Sequence, residues 1–455
     1  MKLVAEREPG VTTETELACI ERDEPATLAD LGLTLAEAKQ LTAALQTEIV
    51  PAQMTALSAH PQACAGCGRR LAAKGHYGAT FRSLFGDVPV RVRRWFVCPC
   101  QGESEAKSVA ALDFGGDGVA PELAYVTARY AALMPFGKVA ALLSELLPIS
   151  GTQHASTVRN RTLRVGADVV QARAAETAYR PAVSGPVVVG LDGGYVRHRH
   201  RAEGRRFEVI AGKVIQADGG QHRFAFTRTG PTATTEAFQA ALAAAGVSAE
   251  TPVTVLCDGD AGLWRLQRKV LPDATVVLDW WHAAVRFEHA LQSARSLGTG
   301  TADASLADTA VRGLERAKWR LWHGRWPGCR RRLAALCRWM QRRPMRDVAG
   351  VDKGRQHVAD LLGYLERNEA ALVHYAARRR RDEPIATSFV ESAVDEIIAW
   401  RMNKAQQIRW SRATVQPFLD VRTAVLNDTL EDAFRRRHHG FRPTNDDRRA
   451  TAAAA

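Results

Sequence analysis

The spacing of apolar residues changes several times along the chain, and each change marks an expected module. Residues 1–60 are Ala/Leu-rich with acidic residues interspersed, which predicts a helical region. Over 61–105 Gly, Arg and β-branched residues take over, and VPVRVRRWFV (88–97) alternates apolar and polar like a strand. From 106 to 182 the period is helical again. KVAALLSELLP (138–148) carries an apolar face, Ser150-Gly151 breaks it, and TQHASTVRNRTLRV (152–165) resumes it.

The centre, 183–296, has another character. GPVVVGLDGGYV (185–196) is a Val run bounded by Gly and Pro, which reads as a buried strand. FEVIAGKVI (207–215) and HRFAFTRT (222–229) follow as its expected antiparallel partners. Next come a helix (234–247), the strand PVTVLCDGD (252–260), a helix (262–271), the strand ATVVLD (274–279) and a helix from Trp280. The order β-β-β-α-β-α-β-α predicts an α/β fold, a mixed sheet covered by helices. Residues 297–385 are Trp- and Arg-rich with no strand signal. SFVESAVDEIIAWRMNKAQQIRW (388–410) restores a helical period within a C-terminal stretch of 386–443, and 444–455 is a low-complexity tail.

Charge narrows the partner. The 62 Lys+Arg outnumber the 49 Asp+Glu, for a net charge of +13, which suits a polyanion and nucleic acid first. No apolar run approaches the roughly eighteen residues of a membrane span, and MKLVAEREPG is too evenly charged for a secretory signal. The expected location is the cytoplasm.

Three acidic residues stand where chemistry is expected. Asp192 ends or nearly ends the first central strand, Asp258 follows VTVLC, and Glu391 sits in the helix SFVESAV. Carboxylates at the carboxyl ends of strands, with a third from a helix laid across, make a cage that hard divalent cations neutralise. Asp-Gly after a strand is also a common turn former. Asp260 competes with Asp258, which is preferred for lying closer to the strand.

Cysteines mark a second site. Cys64 and Cys67 flank two residues, Cys98 and Cys100 flank Pro99, and four thiolates suit tetrahedral Zn²⁺ in a zinc-ribbon-like module. Residues 137–165 are compatible with helix-turn-helix, with Arg159 and Asn160 among the candidate DNA contacts. Lys404, Gln407, Arg409 and Trp410 follow Glu391 on the same expected helix and are further candidates.

LDGGYVR (191–197), FEVIAGK (207–213), CDGDAGL (257–263), LDWWHAAVRF (278–287) and the block at 388–410 resemble the insertion-sequence Kra family of bacterial DDE transposases. That family is distantly related to the Mutator-like and other RNase H-fold transposases, and the likeness spans roughly residues 60–443. It implies an RNase H-like core interrupted by an all-helical insertion, with Asp192, Asp258 and Glu391 holding two Mg²⁺ ions, or Mn²⁺ in their place. It also implies an accessory Asp279/His282 signature outside the metal cage; Arg197 is a further candidate DNA contact. The expected activity is cleavage of element ends and strand transfer into target DNA, on double-stranded DNA at the nucleoid, by a dimer or larger assembly. A domesticated, non-catalytic DNA-binding protein and a nuclease that cuts without joining are the alternatives.

Overall fold

In the computed structural model the chain forms two compact units, Met1–Val169 with Asp428–Ala455, and Val170–Asn427. The structure describes residues 1–442 except 9–10, 22–26, 29–30, 102–107, 111, 113, 115–116, 150–152, 178–180, 298–304, 343–347, 388–391 and 404–407. Among the described residues no helix is long and apolar enough to cross a membrane.

The first unit departs from the sequence expectation at its start. β1 (Lys2–Glu8) and β2 (Val11–Glu16) form an antiparallel hairpin where a helix is expected. Val11, Thr12, Thr13 and Thr15 are β-branched and favour a strand, and Pro9-Gly10 is a turn signal in the sequence; the Glu-rich composition hides both. The expected helix does follow, as α1 (Leu35–Ala59). A capping box starts it: Glu37 N–H donates to Thr34 Oγ1 at 3.2 Å and Thr34 N–H to Glu37 Oε2 at 2.8 Å.

β3 (Ala73–Ser83) and β4 (Gly86–Phe96) then form a long hairpin, with β5 (Ser108–Ala110) paired to β4. The alternation in β4 turns Val88, Val90 and Val92 into a small core with Val50 and Met54 of α1, while Pro89 and Arg91 face out. α2 (Pro121–Leu133) and α3 (Phe136–Leu146) follow, and α4 (Ala155–Thr177) carries the chain into the second unit. The helix Leu430–Arg437 belongs to the first unit, where Phe434 and Phe441 pack edge-on against Tyr125 with ring centres 5.4 and 5.3 Å away.

The second unit is built on the expected mixed sheet. β6 (Val187–Arg197), β7 (Arg206–Ile215) and β8 (Gln221–Thr227) form an antiparallel meander. α5 (Pro231–Ala244) returns the chain to β9 (Val253–Cys257), parallel to β6, and α6 (Ala261–Val270) leads to β10 (Thr275–Leu278), parallel to β9. The strand order is β10-β9-β6-β7-β8. α7 (Trp280–Arg295) leaves the sheet for a helical region of α8 (Ser305–Trp322), α9 (Trp326–Met340), α10 (Val351–Arg367) and α11 (Tyr375–Arg380), with no strand among its described residues. One apolar cluster runs from Val189, Leu191 and Val255 in the sheet to Leu314, Leu333 and Leu361 in these helices, so sheet and insertion share a core.

After the insertion the regular helix expected over 388–410 does not form as such. Asp395–Asn403 is a π-helix, and residues 408–410 are not helical. Arg422 of α12 (Arg412–Leu426) donates to the carbonyls of Ile397, at 2.8 Å, and Glu396, tying that helix to the first turn of the π-helix.

Candidate functional site

Register assembles the acidic site. β6 pairs with β9 up to Leu191–Cys257, and β9 with β10 up to Cys257–Leu278. Three aspartates follow those residues directly: Asp192, Asp258 and Asp279. They leave the parallel ladders at one level, on strands spaced by roughly 4.8 Å, at the carboxyl ends where open α/β sheets place ligands.

Asp192 does not end its strand. β6 runs on to Arg197, paired with β7 alone through Arg197–Arg206. The two glycines after Asp192 answer to crowding: a Cβ on Gly193 would lie 2.8 Å from Glu208 Oε1, and one on Gly194 2.5 Å from Ile398 Cδ1. The π-helix thus passes directly over the strand beyond Asp192.

Asp258 and Asp260 do different work. Asp260 is the N-cap of α6, its Oδ1 accepting from Gly262 N–H at 2.7 Å and Leu263 N–H at 2.9 Å. Asp258 Oδ1 accepts from Asp260 N–H at 2.9 Å, which bends the loop into its turn. Of the two, Asp258 is the one level with Asp192.

Asp279 is 1% exposed and N-caps α7 through Trp281 N–H at 2.7 Å. It also accepts from Thr387 Oγ1 and from His282 Nδ1, the latter at 2.7 Å. Burial pushes its carboxyl up, but the hydrogen bonds from His282, Thr387 and Trp281 N–H outweigh it and hold the group below its ordinary value. His282 moves the other way, raised first by its bond to Asp279 against the cost of burial, and further by the charges of Asp258 and Asp192. Asp279 and His282, bonded at 2.7 Å, are therefore each shifted toward the charged form beside the Asp192–Asp258 pair. Thr387, which helps hold it, carries no signal in the sequence. Glu391, expected as the third carboxylate, lies outside the described residues, as do Lys404 and Gln407.

The four cysteines converge. Their sulfurs all lie within 4.8 Å of one another, with Cys64–Cys100 and Cys67–Cys98 at 3.5 Å. A tetrahedral zinc with Zn–S of about 2.3 Å needs sulfurs roughly 3.8 Å apart, so the set is placed to bind a structural metal such as zinc. The first pair sits on a knuckle closed by Gly68 N–H on Cys64 O and Cys64 N–H on Arg69 O, both 2.8 Å. The short second spacing is met by a 3₁₀ turn, Pro99–Gln101. N–H groups of Cys67 and Gly66 directed at Cys64 bring its thiol down to about 6, whereas the neighbouring sulfurs push Cys100 up. Among the described residues no other group of three or more Cys, His, Asp or Glu is close enough to hold an ion.

The DNA-contact candidates fare unequally. Asn160 is exposed near the start of α4 and accepts from Arg159 Nη1 at 3.2 Å, and the helix runs past the expected 165. Arg197 and Arg409 are exposed. Trp410 corrects the expectation of a surface residue: it is 3% exposed, its backbone N–H donates to Arg197 O at 2.9 Å, and its ring packs on Phe418 at 4.5 Å. In the insertion Trp322 and Trp326 are packed and Trp319 stands out at 64% exposure.

No protein-family model matches the chain, and no curated protein matches it.

Proposed function

We propose that the chain is a DDE-type DNA transposase with an RNase H-like core, similar to the insertion-sequence Kra family, and that Asp192 and Asp258, with Glu391 as the expected third carboxylate, form its metal-dependent active site. The observation that carries this reading is the shared level of Asp192 and Asp258 at the ends of adjacent parallel strands. The meander followed by two crossover strands, order β10-β9-β6-β7-β8, supports the core assignment. Two neighbouring carboxylates are a hard oxygen donor set, which suits Mg²⁺ or Mn²⁺. Bound there, such ions would supply charge stabilisation to an in-line phosphodiester displacement.

The chain's own residues do the rest. Asp260 and Tyr364 fix the loop that carries Asp258, through its turn and its carbonyl respectively. Asp279 favours the charged form of His282 beside the acidic pair, where an imidazolium would offset negative charge or meet a phosphate. Arg197, Arg409 and the basic excess of the chain supply phosphate contacts, and the cysteine module stabilises a DNA-binding unit in the first half of the chain.

The test uses DNA carrying the sequences that flank the gene. Asp192→Asn and Asp258→Asn should each abolish end cleavage in Mg²⁺ while leaving DNA binding within about twofold. Undiminished cleavage by either removes that residue from the mechanism. Wild-type protein that cuts without joining would be a nuclease, and one that only binds would be a non-catalytic DNA-binding protein.

A further inference from the structure

The loop that carries Asp258 is held from outside the sheet. Tyr364 of α10, in the insertion, donates from its hydroxyl to the Asp258 carbonyl at 2.8 Å. Arg286 of α7 lies over the Tyr364 ring, 4.1 Å from its centre. Burial pushes the phenol well above its ordinary range, so it remains a donor. One turn on, Asn368 accepts from Trp264 Nε1 of α6 at 2.7 Å and donates to the Tyr364 carbonyl at 2.9 Å.

Gly259 completes the fit. Its φ is +97°, and a Cβ there would lie 2.9 Å from the Tyr364 ring and 2.8 Å from Asn368 Nδ2. The turn has been shaped against α10 with no room for a side chain. A second phenol repeats the arrangement one strand away, where Tyr375 donates to the carbonyl of Leu278, the residue before Asp279, at 2.9 Å.

We propose that the helical insertion is a positioning element of the acidic site: Tyr364 fixes the backbone at Asp258 and so aims its carboxylate toward Asp192. In its reference to metal this rests on the function proposed above. The insertion would then be needed to form the site, in addition to any contact it makes with DNA. Losing one neutral hydrogen bond, with the ring retained, is expected to loosen the loop by about fivefold, about 1 kcal/mol at RT of about 0.59 kcal/mol.

The experiment compares Tyr364→Phe, Tyr375→Phe and wild type, as full-length protein. Hydrogen exchange without metal should rise about fivefold in the 258–263 segment of Tyr364→Phe. Mn²⁺ affinity read by electron paramagnetic resonance should fall five- to tenfold, with cleavage restored at saturating Mn²⁺. Tyr375→Phe should leave Mn²⁺ affinity within about twofold, since Asp279 is outside the proposed metal set. Gly259→Ala, which pushes the same turn off α10, should reproduce the Tyr364→Phe pattern. Unchanged exchange at 258–263, or equal Mn²⁺ weakening by both tyrosine variants, overturns the proposal. If wild type binds no Mn²⁺ and Asp192→Asn still cuts, the proposed function fails, and the exchange measurement alone decides the positioning role.

Discussion

Asp279→Asn isolates the ion pair beside the candidate site. Three donors converge on this nearly inaccessible carboxylate: Trp281 N–H on Oδ1, and His282 Nδ1 and Thr387 Oγ1 on Oδ2. Asparagine can keep Oδ1 as the cap of α7 but presents an NH₂ where two donors arrive. Thr387 can rotate to accept, and a neutral His282 can offer a bare nitrogen, so no group is orphaned outright. What is lost is one charge-assisted hydrogen bond, worth about 1.5–3 kcal/mol. The His282 side chain is 33% exposed, and solvent screening places the estimate near the low end, about 2 kcal/mol. For a unit of this size that lowers Tm by roughly 4–8 °C.

The pH dependence carries the sharper signature. His282 is raised on folding, so its contribution is fully present below the ordinary histidine value of about 6.5 and is lost as pH rises through the folded value. Asp279 is lowered, so its contribution is present above about 3.9 and is lost as pH falls through the folded value. The difference between wild type and variant should therefore be widest between about pH 4 and 6.5 and should shrink as pH rises through the folded His282 value. Thermal melts across that range, with proton NMR titration of the His282 ring, measure both. An unchanged His282 midpoint in the variant, or a stability gap equal at both ends of the range, refutes the pairing.

Other outcomes follow from single residues. Wild type should carry zinc and Cys64→Ser should lose it, read as metal content by mass spectrometry, and the variant should be destabilised in the first unit; equal metal content in both would remove the cysteines from metal binding. Trp410→Ala and Arg409→Ala should separate packing from DNA contact. The tryptophan, packed on Phe418, should cost about 3–5 kcal/mol in denaturant unfolding. The exposed arginine should leave stability alone and lower the salt slope of DNA binding by roughly 0.9 if it meets one phosphate.

Much of the sheet was legible in the sequence because strands buried on both faces must be continuous apolar runs. VVVGL, VTVLC and ATVVL can be little else, and helical periods between them dictate crossovers. What one dimension does not carry is register. That Asp192, Asp258 and Asp279 stand at one level depends on Leu191, Cys257 and Leu278 being paired across three strands. The end of one pairing also looks, locally, like the end of a strand, which is why β6 was expected to stop near Asp192. The separation of Asp258 from Asp260 was within reach. Asp260 directly precedes the amphipathic AGLWRLQRKV, the position of an N-cap, and that role is a better reason to set it aside than distance from the strand.

The insertion was legible as helix, but not its contacts with the strand ends that bear Asp258 and Asp279, and the reason lies in loop closure. An excursion between two points that already touch costs little: each doubling of length adds only about 0.6 kcal/mol. Here the points touch at Asp279. Trp280 N–H donates to the Ile385 carbonyl at 2.9 Å where the chain returns, and Thr387 bonds the Asp279 carboxylate itself. A long helical segment can therefore enter and leave at the acidic strand ends without strain. Once there, it shares a core with the sheet and reaches back with Tyr364 and Tyr375, aromatics that read in sequence as ordinary packing. Because both ends of the insertion and both phenols meet the strands that bear Asp258 and Asp279, a displacement of these helices moves those aspartates as well.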